Sequence, residues 1–150
     1  MLDPAVMSAS EDAVRVRRGR RSDVAGARAL LPAADPRRER FDRRTFASLA
    51  GDVYVAEDAG GTIVGIVSVA YLRSVREGRL AAVLDAARAA ADSAALLDRL
   101  IAFAETRARR RGCRRLAAWI EPGDVALRTA LESRGYAPGT VLTAELGGAG

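Results

Sequence analysis

Residues 80–136 read LAAVLDAARAAADSAALLDRLIAFAETRARRRGCRRLAAWIEPGDVALRTALESRGY, and their order decides the fold. Residues 80–84 are a short apolar run with the composition of a buried strand. Arg88 and a turn of small residues over 89–93 lead into a long amphipathic helix. Its apolar side is Leu96, Leu97, Leu100, Ile101, Phe103, Ala104 and Ala108. Gly112 is the C′ residue expected to stop it. A second strand follows over 113–120, then a helix capped by Asp124 and ended by Arg134-Gly135-Tyr136. Strand, helix, strand, helix predicts an α/β domain.

Upstream, Val14-Arg15-Val16-Arg17 alternates as a half-buried strand does. Ser22 is the expected N-cap of a helix carrying Val24, Ala27, Leu30 and Leu31. Asp35-Pro36 opens a very basic helix reaching Ala50, with Phe41, Phe46 and Leu49 on its apolar side. Runs 53–57 and 62–72 read as strands joined by Asp58-Ala59-Gly60-Gly61, a hairpin turn. Gly65 marks a bulge or a close backbone approach. The last strand is expected over 140–146, with loose tails at 1–13 and 147–150 and one domain between them, 14–146. Three consecutive strands joined by hairpins make the sheet mostly antiparallel.

The totals exclude several chemistries. A chain of 150 residues, 49% hydrophobic and 29% charged, can bury one core. There is no histidine and one cysteine, which removes Ser-His-Asp and Cys-His catalysis, an internal disulfide and a Cys/His zinc site. All 24 basic residues are arginine, so Schiff-base catalysis and a Walker-type loop are absent as well. The net charge of +5 is spread over helices without a reader motif, and aromatic residues are only 5%, so a nucleic-acid function ranks last. No apolar run is long enough to span a bilayer, and residues 1–13 lack the pattern of a secretory signal. A cytoplasmic protein is expected.

The element order, with Val16-Arg17-Arg18, Asp23-Val24, Val55-Ala56-Glu57, Ile63-Val64-Gly65 and Arg134-Gly135-Tyr136, resembles the GNAT (GCN5-related) N-acetyltransferases over nearly the whole chain. That resemblance implies a GNAT-like fold: a mixed, mostly antiparallel sheet with a central V-shaped opening flanked by helices. It also implies acetyl-CoA or another acyl-CoA as cosubstrate. The pantetheine would pair with the backbone of the strand holding Val83 and Leu84, and the pyrophosphate would sit at the start of the following helix. On the family's phosphate-loop pattern, Arg88 takes the leading position, Ala91 the first glycine and Ser93 the second, with Ala89 between. Asp92 places a carboxylate inside the loop. Asp124 stands at the family's Asn position, and Leu131 at the place of the Tyr that often protonates the leaving thiolate.

The general base does not transfer by motif. By placement, Glu57, Glu77, Asp85 and Glu121 lie at strand ends, and Glu121 is the first choice as catalytic base. Cys113 reads as a small core residue, Tyr136 as core, and Trp119 as either core or an acceptor-stacking ring. The leading expectation is an N-acyltransferase, N-acetyl transfer foremost, in which a small-molecule or protein amine attacks directly. The alternatives are a degenerate GNAT-fold binding or regulatory module and a basic nucleic-acid binder. A homodimer is compatible with the first two.

Overall fold

The computed structural model describes residues 13–31, 38–48 and 50–147, the side chains of 38–41 excepted. Strand β1 (Arg15–Arg18) opens the sheet, and a 3-10 turn at Arg21–Asp23 leads into a short helix, α1 (Val24–Ala27). The expected Ser22 cap is not made. Asp23 holds this corner instead, accepting the Arg20 amide at 2.6 Å and both terminal nitrogens of Arg17 at 2.8 Å. A charged, forked pairing outcompetes a serine hydroxyl for that role.

Helix α2 (Arg38–Ala47) lays Phe46 over Val24, Ala27, Val53, Val55 and Ile66. The expected Asp35-Pro36 start, and Leu49, lie outside the described residues. Strands β2 (Gly51–Glu57) and β3 (Ile63–Ser74) form the predicted hairpin. The Asp58 carboxylate accepts the amides of Gly60 and Thr62 at 2.9 Å, and Gly61 sits at φ +82, a conformation glycine adopts without steric cost. Strand β4 (Arg79–Ala89) returns antiparallel to β3 and is five residues longer than the run 80–84 suggests at its C-terminal end.

Helix α3 (Ala94–Arg110) then crosses to β5 (Leu116–Ala118), which lies parallel to β4, and helix α4 (Val125–Ser133) follows. The sheet order is β1-β2-β3-β4-β5, antiparallel except for its last pair. Helix α3 buries Leu97, Leu100, Ile101 and Ala104 against the sheet and α4. Gly65 allows the approach, since a Cβ there would lie 3.0 Å from Leu100 Cδ1 and 3.1 Å from Ala56 Cβ. Arg134 ties α4 to α3 by forking Glu105 at 2.8 and 2.9 Å.

Two expectations are corrected. The strand expected over 113–120 is only Leu116–Ala118, because Arg114 and Arg115 are exposed and the Cys113 amide closes the helix end by donating to Ala108 O at 3.0 Å. The strand expected over 140–146 is absent, and residues 137–147 are exposed. Alternation alone does not make a strand. A ladder partner must satisfy the backbone groups, and none lies alongside among the described residues.

Candidate functional site

The opening is built by a bulge. Along β3 and β4 the register steps from Val69↔Leu84 to Ser68↔Ala86, which leaves Asp85 as the extra residue on β4. A bulge bends its strand and increases the local twist. Pairing with β5 stops at this point: Leu84 faces Ala118, and the Trp119 amide still reaches Leu84 O at 3.2 Å. Beyond it, Ala86 to Ala89 pair with β3 on one side and have no β5 partner on the other. The result is a wedge between β4 and β5 whose inner wall is unpaired strand backbone. Ala89 is buried in that wall and Arg88 stands partly exposed on it, whereas Val83 and Leu84 are buried below the opening, paired with Ala117 and Ala118.

At the end of the wedge the chain turns through Ala90–Asp92 into α3. Ala91 and Asp92 both lie in the left-handed region, at φ 53 and φ 50. Among the described residues these are the only non-glycine residues there. For alanine this costs about 1–2 kcal/mol, so surrounding contacts impose the turn against local preference. Ser93 is the N-cap, its Oγ accepting the Leu96 amide at 3.3 Å. Asp92 is exposed and does not cap the helix. The amides of Ala91, Ala94 and Ala95 find no acceptor among the described residues, while the 3-10 turn carries the Asp92 amide to the Ala89 carbonyl. Three unpaired donors around a helix start make a positive cradle.

Arg88 and Asp124 meet across the mouth, Nη2 to Oδ2 at 3.8 Å. Asp124 caps α4 at the same time, Oδ1 accepting the Leu127 amide at 3.1 Å. Of the strand-end carboxylates, Glu57 is engaged by Arg17 at 2.7 Å and Arg15 at 3.5 Å. The Arg17 hydrogen bond holds it below the usual carboxylate range, which makes it a weak base. Glu77 sits in the β3–β4 turn, and Asp85 is exposed at the bulge. Glu121 is exposed in the turn after β5, with its carbonyl accepting the Asp124 amide at 2.9 Å.

Leu131 is fully buried, so no hydroxyl stands at that position. Tyr136 packs on the core and donates to Glu105 Oε1 at 3.2 Å, and burial pushes its hydroxyl pKa up. Cys113 is buried and its thiol is likewise pushed up by burial, in keeping with a core residue. Trp119 is 56% exposed just past β5, which removes the core reading of its ring.

Sequence reasoning missed the bulge, the two left-handed residues and the Arg88–Asp124 pair. Only the last had a signal: two opposite charges, each placed at the same mouth by the strand-helix pattern.

No family model and no curated protein matches this sequence. Solved structures do match in fold. A transcriptional regulator from Bacillus halodurans C-125 superposes with a TM-score of 0.74 at 19% identity, covering 89% of this chain and 99% of that one. A ribosomal-protein-alanine N-acetyltransferase from Brucella melitensis biovar Abortus 2308 gives 0.72 at 18% identity, with 89% and 99% coverage. The aminoglycoside N-acetyltransferase AAC(6')-Iy, solved in complex with CoA, gives 0.73 at 12% identity, with 89% and 94% coverage. With its sheet order, its parallel β4–β5 pair and the wedge between them, this chain has the fold of the GNAT acetyltransferases.

Proposed function

We propose that this protein is an acyl-CoA-dependent N-acyltransferase, transferring an acetyl group to a primary amine. The carrying observation is the set of three unpaired amides of Ala91, Ala94 and Ala95, held at the end of a wedge with an unpaired strand wall. Backbone donors at a helix start suit a pyrophosphate, and an open strand edge suits the two amides of a pantetheine arm. The residues present therefore fit such a cosubstrate in their backbone. Arg88 would add a cation for phosphate.

Acyl-CoA would supply an activated thioester, whose acyl carbon passes to the amine as the thiol leaves. The wedge would hold that carbon against the acceptor, and such positioning is the main source of rate when nucleophile and electrophile are both supplied by substrates. Glu121, exposed beside the mouth, is the candidate to take the amine proton, directly or through water. With leucine at position 131, the leaving thiolate would draw its proton from solvent.

A second reading is a binding module on the same fold. The Arg88–Asp124 pair favours it, because an internal carboxylate already occupies the arginine. Asp92 adds a charge that opposes phosphate. A spectrophotometric assay of thiol release from acetyl-CoA, run over a panel of amines, separates the two. Turnover supports the enzyme, whereas CoA binding without turnover supports the module. A cytoplasmic location accords with both readings, and no described helix is long and apolar enough to cross a membrane.

A further inference from the structure

We infer that the end of the sheet farthest from the wedge is a docking surface for double-stranded nucleic acid, held through its phosphate backbone without base reading. Strand β4 runs from Arg79 at that end to Ala89 at the wedge, so the two sites are a full strand apart. The inference stands whether or not the wedge takes an acyl-CoA.

Arginines dispersed along the sequence are gathered here by the fold. Segment 73–79 holds Arg73, Arg76 and Arg79 with Glu77, and segment 107–115 holds six arginines and no acid. The first is the turn between β3 and β4, with Ser74 opposite Arg79. The second ends α3 and enters β5, whose Leu116 pairs with Ala82, so Arg114 and Arg115 come alongside the first residues of β4. Together they set nine arginines against one glutamate, more positive charge than the +5 of the whole chain.

This charge lies in two layers. Arg107 and Arg111 turn inward to the Asp52 carboxylate, at 3.6 and 3.1 Å. Arg73, Arg76, Arg79, Arg110, Arg114 and Arg115 make no ion pair among the described residues, and all but Arg79 are exposed. Guanidinium groups fork to phosphate oxygens, and a dense unpaired set calls for a ligand of comparable charge density. Neighbouring strands about 4.8 Å apart, with long side chains reaching outward, make a patch roughly 20 Å across. A duplex carries a charge per roughly 1.7 Å of axis, so about 12 phosphates lie along that span and about half face one side. Six outward arginines match that number.

The side chains around them select the duplex. The patch has no exposed ring on which an unpaired base could stack: Trp119 lies past the other end of β5, and Tyr71 is half-buried, with the Arg111 guanidinium 4.5 Å from its ring centre. Single strands are bound by such stacking. A protein partner needs an apolar centre, and within 72–80 and 107–116 only Leu72 and Val75 are exposed large apolar side chains. Interfaces with nucleic acid are more polar and far more positive, and a grip on phosphates needs no reader motif.

Fluorescence anisotropy tests this, titrating the 150-residue chain into labelled DNA and RNA duplexes of about 20 base pairs at several salt concentrations. The variant Arg76→Ser/Arg115→Ser removes one exposed, unpaired arginine from each segment, whereas Arg21→Ser/Arg128→Ser removes the same charge elsewhere. Saturable, salt-sensitive binding is expected, its dissociation constant raised at least about tenfold by the first variant and less than about twofold by the second. The salt slope of the first should be shallower by about 1–2. No binding to either duplex, equal losses in both variants, tighter binding of a single strand of the same length, or equal affinity for polyglutamate or phosphatidylserine vesicles overturns the inference.

Discussion

Single residues decide whether the wedge is open for a phosphate. Asp124 does two jobs, capping α4 and pairing with Arg88. Asparagine caps a helix about as well as aspartate, so Asp124→Asn keeps the first job and ends the second. Arg88 is partly exposed, which limits the pair to about 0.5–1 kcal/mol. Titration calorimetry with CoA should therefore show binding tightened roughly two- to fivefold in Asp124→Asn, and weakened in Arg88→Ala by about 1.5–3 kcal/mol.

The two left-handed residues give a second prediction at this scale. Replacing alanine by glycine usually destabilises, by about 0.4–1 kcal/mol through the unfolded chain alone. At φ 53 the relief of strain offsets that cost, so Ala91→Gly should leave the melting temperature unchanged or raise it slightly. A clear fall in a thermal melt would show that Ala91 is not held in that conformation.

At the scale of elements, the seat of α3 on the sheet sets the wedge. Gly65 lies beneath Leu96 and Leu100 with no room for a larger side chain. Gly65→Val should push the helix off and destabilise the fold by about 1–3 kcal/mol, read from urea unfolding midpoints. Much at this scale was legible in the sequence. Apolar spacing placed α3, and Gly112 and Gly135 marked both helix ends, at φ +83 and φ +87. The parallel pairing of β4 with β5 follows from the strand-helix-strand order. What was illegible depends on partners distant in sequence. The Asp85 bulge exists only in register with β3, and Ala91 and Asp92 are forced left-handed by the elements they join, with no glycine to announce it. The 140–146 pattern promises a strand, but whether one forms depends on an edge that no local pattern reveals.

For the whole molecule, a part of the arginine excess is turned inward. Buried Asp52 accepts from Tyr71 at 2.6 Å, Arg111 at 3.1 Å and Arg18 at 3.2 Å, with Arg107 at 3.6 Å. This joins β1, β2, β3 and the C-terminal end of α3, away from the wedge. Removing the carboxylate leaves clustered guanidinium groups uncompensated, so Asp52→Ala should cost roughly 3–5 kcal/mol in urea unfolding.

The same networks fix the pH dependence. The Arg17 hydrogen bond holds Asp23 below the usual carboxylate range, and the Arg134 hydrogen bond does the same for Glu105. For Asp52, burial pushes upward and is outweighed by the Tyr71 and Arg111 hydrogen bonds, so its pKa also falls. Carboxylates lowered in the folded state stabilise it fully above their unfolded values near 4, and the contribution is lost as pH falls toward the lowered ones. Thermal stability should be flat from neutral pH to about 5 and decline below about 4.

The central claim, that the wedge and the amides of Ala91, Ala94 and Ala95 receive an acyl-CoA, is tested most directly by titrating acetyl-CoA into the purified wild-type protein in a calorimeter. Saturable binding with one site per chain, weakened in Arg88→Ala, is the predicted result. No heat of binding from the wild type or from Asp124→Asn would contradict it.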